Sequence, residues 1–294
     1  MNKHINSIAI YGSRARNDFD THSDKDLLIV ADKFENKFEI EQSYNNLGYS
    51  CAAYTFNKLQ TLCNRKALFI QHLKQDAKIM LDKDNRLKGL LTQFAPKENY
   101  NSEILQAISY FQLLRVIPNT IEGIGWAFDV IAIGLRNYNI LQLANHKIYE
   151  FSLPIILKCS QRIFNLTDSE IDSLVNTRVA KKIYRAGLYE LLPSKSELIE
   201  TIKIIEKRFS ISIDTTFTDK GNFNQYALTN LYSNKTFTAY QRLRLFEGFF
   251  FTSSLSLDKD IRVKCRRIIE NPRFYTMDFQ NQEFIDNLLI EIFA

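Results

Sequence analysis

The chain reads as α+β: a mixed β-sheet with helices at the N-terminus, followed by a mostly α-helical bundle. Three observations predict this. Over the first ninety residues, short β-prone runs such as Leu27-Leu28-Ile29-Val30 alternate with stretches whose apolar residues recur at helical spacing. From Ser102 onward nearly every stretch is helical, and Thr167-Asp168-Ser169-Glu170 has the form of a capping box. Between the two regimes, Pro96 and a polar run mark a junction. The domains are therefore expected at residues 1–92 and 97–294, the second divisible into two sub-bundles near 210–236.

Composition narrows the field without choosing a function. The 294 residues suffice for one large or two ordinary domains with full cores. The net charge of +5 is spread evenly: residues 1–92 carry 14 Lys and Arg against 11 Asp and Glu, the remainder 24 against 22. Neither half is a basic nucleic-acid module, so any such contact must come from local clusters. No apolar run is long enough for a membrane span, and the first residues hold no apolar leader. The four cysteines, Cys51, Cys63, Cys159 and Cys265, lie far apart and suggest neither a zinc site nor a disulfide framework. A reduced cytoplasmic protein is the expectation.

The chemistry concentrates between Ile8 and Val30. The stretch reads as strand, Gly12-Ser13 turn, short helix, loop and second strand. Asp24 and Asp26 stand two apart at the head of the apolar run, and residues i and i+2 on a strand project to the same side. Two converging carboxylates are costly unless a cation sits between them or one takes up a proton. Paired hard oxygen ligands suit Mg2+, or Mn2+, shared with substrate phosphates. A glycine at a strand-to-helix turn lets backbone approach a ligand, and the following N–H groups suit phosphate. Together these are parts for phosphoryl or nucleotidyl transfer.

Gly12-Ser13, ten residues, then Asp24-Lys25-Asp26 resembles the G-S-x10-D-x-D signature of the polymerase-beta-like nucleotidyltransferase superfamily. The fuller G-S-x-A-R-G-D…S-D-x-D-L form of its minimal (MNT) branch is also similar. Arg14, Ala15, Arg16, Asp18, Ser23 and Leu27 fit that form, and Asn17, which tolerates left-handed turns, replaces its glycine. The run from Leu68 to Asp82 is similar to the branch's L-F-x-x-H-L-K-x-E-G-x-I-L-x-D, with Asp76 and Ala77 in place of E-G. The resemblance implies catalytic, Mg2+-holding Asp24 and Asp26. It also implies a nucleotide held by Gly12 and Ser13, with Arg14 or Lys25 countering leaving-group charge, and ATP or CTP as the NTP.

The elements of this region follow in order. Residues 32–46 read as a helix with Phe34, Phe38 and Ile40 apolar, and 49–55 as a strand suited to the centre of a sheet. Residues 57–74 read as one helix and 77–81 as a short strand. The superfamily's third acid belongs on the 49–55 strand. Alignment there places Ala52, or in another register Ser50, at that position; neither is an acid. Asp18, Asp20 and Asp76 are the candidates to substitute.

Beyond Pro96, residues 102–116 read as a helix, and 120–143, apolar nearly all round, as the centre of a bundle. Arg136 in that helix is either a buried ion-pair member or a cleft residue. Its surroundings, Leu135 to Leu141, are similar to the Arg-Asn core of HEPN domains. Their ribonuclease signature needs a histidine four to six residues on, whereas His146 is ten residues away. A HEPN-like or other helical bundle without that site is expected. Residues 153–164, 179–192, 194–209 and 239–254 read as helices, as do 258–269 and 284–293, while 210–236, rich in Thr and Asn, reads as a loop. Lys181, Lys182 and Arg185, and separately Arg262 to Arg267, are basic groupings with Tyr184, Tyr189, Tyr240 and Phe274 near in sequence. Arg136, Lys181, Lys182 and Arg185 are candidates for acceptor binding, against the simpler reading of solvated faces. The acceptor expected is RNA, such as a tRNA 3′ end, or a partner protein hydroxyl. By analogy alone, a toxin–antitoxin or antiviral defence setting with a partner chain would follow. A degenerate nucleotide- or RNA-binding sensor is the alternative.

Overall fold

The computed structural model describes residues 4–17, 24–233, 236–253, 257–276 and 278–293. Asp18, Asp20 and Ser23, named above in the motif or as candidate acids, lie outside them, as do the side chains of Phe34, Phe38 and Phe274.

The N-terminal elements are β1 (Ile5–Ile10), α1 (Ser13–Arg16), β2 (Asp26–Ala31), α2 (Phe34–Asn46), β3 (Ser50–Thr55), α3 (Phe56–Asn64), α4 (Leu68–Asp76), β4 (Lys78–Asp82) and α5 (Arg86–Gln93). The strands form one sheet in the order β3-β2-β1-β4, with β1 antiparallel to β2 and β4, and β2 parallel to β3. Helix α2 covers one face through Ile40 against Leu27 and Ile29. Helices α3, α4 and α5 cover the other, setting Leu59, Ile70, Leu73 and Leu87 against Leu28 and Val30. Cover on both faces explains why β2 is continuously apolar and does not alternate. Asp82 ties β4 to its surroundings, accepting from the Ser7 hydroxyl at 2.9 Å and from the Leu87 and Lys88 amides at 3.0 and 2.9 Å.

Two local readings are corrected. β3 lies at the sheet edge and not at its centre. Its small residues Ala52 and Ala53 are buried because helices cover both faces, which says nothing about lateral position. Residues 57–74 form two helices, not one. The amide of Lys66 donates to Cys63 and that of Ala67 to Leu62, a Schellman stop with Lys66 left-handed at φ 53°.

The following elements are α6 (Asn101–Tyr110), β5 (Val116–Pro118), α7 (Ile121–Asn145), α8 (Leu153–Phe164), α9 (Asp168–Ala186), α10 (Lys195–Phe209), β6 (Thr216–Thr218), α11 (Lys220–Ser233), α12 (Ala239–Thr252), α13 (Lys259–Glu270), α14 (Arg273–Thr276) and α15 (Phe279–Phe293). The chain divides into two compact units, residues 1–102 with 139–160, and residues 103–138 with 161–294. The first unit therefore includes the end of α7 and most of α8, whose Ile140, Leu143 and Ile156 pack with Leu68 and Phe151.

In the second unit α7 is central, as its all-round apolar character predicts: Trp126, Ala127, Phe128, Val130, Ile131 and Leu135 are buried. The Trp126 indole N–H donates to the Arg244 carbonyl at 2.8 Å. Capping boxes at Thr167 and Ser194 open α9 and α10. Four boundaries differ from expectation. Helix α6 stops at Tyr110, and Val116–Pro118 pairs in parallel with β6. Residues 168–186 are one helix, closed by left-handed Gly187, and 179–192 is no separate helix. The stretch 210–236 is not all loop, because α11 buries Phe223, Ala227 and Leu231 at four-residue spacing behind an Asp219 that caps Asn222. Helix α15 begins at Phe279, earlier than expected. No helix among the described residues is long and apolar enough to cross a membrane.

A Cβ built on Gly248 would lie 2.8 Å from Cε2 of Trp126. Gly248→Ala should cost about 1–3 kcal/mol through overpacking, more than the roughly 1 kcal/mol alanine gains in helix propensity. Urea unfolding followed by fluorescence of the single tryptophan measures it.

Candidate active site

The corner between β1 and β2 brings Gly12 against Asp26, whereas Asp24 precedes the strand, which begins at Asp26. The Tyr11 amide donates to the Asp26 carbonyl at 3.2 Å, carrying the ladder one residue past β1. Gly12 follows at φ 72° and ψ −153°, a conformation nearly restricted to glycine. Its carbonyl accepts from the Ala15 and Arg16 amides at 3.0 and 3.1 Å, which turns the chain into the single turn of α1. Asn17 closes that turn in the left-handed region at φ 64°, the role expected of it. A Cβ at Gly12 would stand 2.6 Å from Oδ2 of Asp26, so the absence of a side chain lets the carboxylate lie against the turn.

Asp26 is half-buried at the first position of β2, and Asp24 and Lys25 are exposed just ahead of it. Ser13 and Arg14 are half-buried on α1. The structure thus sets Gly12 directly against Asp26, with Ser13 and Arg14 following Gly12 in the chain and Asp24 and Lys25 preceding Asp26. The hard oxygens of Asp24 and Asp26 suit a small divalent cation.

Parallel pairing sets Ser50 opposite Asp26 and Ala52 opposite Leu28. The Ser50 amide donates to the Lys25 carbonyl at 3.0 Å. The strand position nearest Asp26 therefore carries a hydroxyl, and the next on that face a buried methyl. Among the described residues no three His, Cys, Asp or Glu side chains gather into a metal cluster.

Asp76, a candidate third acid, is engaged elsewhere. Its side chain is 2% exposed, Oδ2 pairs with the Arg16 guanidinium, and His72 Nε2 lies 3.0 Å from the same oxygen. Burial pushes its carboxyl up, but His72 and Arg16 outweigh burial and hold it below the usual range. Sequence reasoning missed this link between two motifs. Its signal was an unassigned arginine in one and a histidine–acid pair four apart in the other.

The acceptor candidates lie in the second unit, around buried charge. Arg185 donates from Nε and Nη2 to Asp129 at 2.9 and 2.6 Å, and its Nη1 lies 2.9 Å from Glu247. Arg244, 1% exposed, meets Glu247 at 2.7 Å; Asp129 and Glu247 are fully buried. Burial alone would lower the Arg185 pKa, yet Glu247 and Asp129 hold it above its ordinary value. Lys181 is pushed down by burial, partly offset by Asp129, and Arg185 and Arg136 push it the same way. Arg136, Lys181 and Arg185 thus share one electrostatic neighbourhood, with Lys182 half-buried beside them on α9.

Residues 1–86 match the family model described as Polymerase beta, Nucleotidyltransferase. The match spans the four-stranded sheet and the Gly12–Asp26 corner, and it supports a polymerase-beta-like nucleotidyltransferase domain there. Neither the curated proteins nor the solved structures give a match to the chain.

Two outcomes follow. Gly12→Ala must displace the Asp26 carboxylate or the turn, and should reduce affinity for a labelled NTP about tenfold or more while leaving the helical unit folded, as read by equilibrium binding and circular dichroism. Asp129→Asn should cost about 3–5 kcal/mol in chemical denaturation, since it breaks a buried pair. Burial raises the Asp129 pKa, but Arg185 outweighs it and the net shift is downward. The stabilisation is therefore present above the ordinary Asp range and lost as pH falls through the lowered value. The gap between variant and wild type should narrow in acid.

Proposed function

We propose that the chain is a Mg2+-dependent nucleotidyltransferase of the minimal branch, moving a nucleoside monophosphate from ATP or CTP to a hydroxyl on a macromolecular acceptor. The observation that carries this reading is the close approach of Gly12 to Asp26, within a stretch that matches the polymerase beta nucleotidyltransferase family. Asp24 and Asp26 would hold the metal, which supplies charge neutralisation at the phosphates when bound. The Gly12-Ser13 turn binds the β- and γ-phosphates through backbone N–H and hydroxyl groups. Arg14 or Lys25 counters the charge that builds on the leaving pyrophosphate. The acceptor oxygen forms a bond to the α-phosphorus as the bond to the bridging oxygen breaks. With Ala52 or Ser50, and no acid, at the third-acid position, the hydroxyl proton passes to solvent water. The helical half recognises the acceptor, an RNA 3′ end or a partner protein hydroxyl, and its size favours a macromolecule over a small one. A cytoplasmic toxin–antitoxin or antiviral role fits this chemistry by analogy only.

One observation favours a second reading. Ser50 and Ala52 occupy the strand where a third carboxylate would complete the site. A site lacking it could bind nucleotide without turnover, as a sensor of nucleotide or RNA.

Incubation with each α-32P-labelled NTP, Mg2+ and cell lysate separates the two. Label should appear on a discrete RNA or protein band with wild type and fall about a hundredfold or more with Asp26→Asn. Retained NTP binding with no label from any NTP would establish the sensor.

A further inference from the structure

The helix that carries Ser13 and Arg14 is too short to hold itself. It is one turn long, makes two amide bonds to the Gly12 carbonyl and buries only Ala15. Its setting must come from elsewhere, and the contacts that supply it converge on α4. Before the Gly12 turn, the Tyr11 ring meets His72 edge-on at 5.4 Å and Phe69 at 5.8 Å. After it, the Arg16 guanidinium pairs with Asp76 at the last residue of α4. His72, one helical turn before Asp76, lies 3.0 Å from the same carboxylate oxygen, and its ring stacks on Phe151 at 4.2 Å and 18°. Helix α4 thus grips the Gly12-Ser13 turn from both sides, and His72 fixes the carboxylate that does so.

We infer that Asp76 is a positioning residue for the nucleotide site, acting through Arg16 on the turn that would hold the phosphates, and is not a metal ligand. This deepens the nucleotidyltransferase reading and rests on it. The Asp76 side chain is 2% exposed and its Oδ2 already meets two cation-forming side chains, so that oxygen is engaged in ion pairing and not turned to a cation site. The Arg16 side chain is 20% exposed and reaches inward to this buried acid. A charge-assisted hydrogen bond of this kind fixes geometry as well as contributing energy. The site thereby depends on residues sixty positions apart in the chain, with Phe151, from the segment that returns from the helical half, behind them.

The test compares Asp76→Asn, Arg16→Gln and the double variant in the full chain. If Asp76→Asn fails to fold, Arg16→Gln carries the test from the more exposed partner. Each single variant should raise the KM for NTP about tenfold, with kcat within about threefold of wild type. The double variant should be no worse than either single one, because both remove the same link. The Mg2+ concentration giving half-maximal activity should not move. A collapse of kcat at unchanged KM, with a shifted Mg2+ requirement, would make Asp76 a ligand and overturn the inference; so would additive effects in the double variant. If wild type neither turns over nor binds any NTP, the proposed function fails, and amide hydrogen exchange across residues 12–17 still judges the clamp. Faster exchange in either single variant supports it, and unchanged exchange refutes it.

Discussion

The structure depends on one close approach. Backbone at Gly12 and the carboxylate of Asp26 occupy space that a single methyl group would fill. That contact requires β1 and β2 to be antiparallel neighbours in the observed register, since Ile10 pairs with Leu27 and the Tyr11 amide reaches the Asp26 carbonyl. A one-residue slip would turn Asp26 into the opposite face of the sheet, toward the α2 side. Because β2 is apolar on both faces the pattern alone does not oppose the slip; the close packing of Leu28 and Val30 against α3, α4 and α5 and of Leu27 and Ile29 against α2 does. A polar corner is held in place by hydrophobic burial several residues away.

The two units handle charge in different ways. In the first, Asp24, Lys25 and Asp26 stand at the start of β2, exposed or half-buried, and only Asp76 with its partners Arg16 and His72 forms a buried cluster among the charges described above. In the second, Asp129, Glu247, Arg185 and Arg244 form a buried network with two carboxylates and two guanidinium groups in mutual contact. Such a network adds little stability over an apolar core of the same shape, but breaking it is costly. It also constrains how α7, α9 and α12 can be arranged, since each Arg185 bond fixes a direction as well as a distance. Arg185 carries that structural load whether or not its exposed part also meets an acceptor.

What the sequence disclosed follows from the range of the interactions involved. The Gly12, Asp24 and Asp26 pattern is local, so spacing alone could suggest convergence, and the left-handed Asn17 was readable from residue type. The all-round apolar character of α7 likewise announced its central place. The lateral position of β3 was not legible, because burial on both faces looks the same in a central and an edge strand once helices cover the sheet. Helix α11 was obscured by Thr and Asn, although Phe223, Ala227 and Leu231 carried its period. The break at Lys66 was hidden because lysine rarely takes a left-handed stop. Pairings across sixty residues, such as Arg16 with Asp76, leave no periodic trace at all.

Ser50 turns the missing acid from a matter of alignment into one of electrostatics. Opposite Asp26 on a parallel strand, a third carboxylate would add a negative charge beside one already pressed against backbone. Like charges so placed need a cation to coexist. With serine there, the corner carries less charge to neutralise before a nucleotide brings its own phosphates, and less force to hold a cation afterwards. The same substitution removes the natural base for an attacking hydroxyl. Nucleotide binding therefore loses less than proton transfer does. An acceptor docked by the helical half would have to supply, through orientation, part of what a third acid otherwise gives.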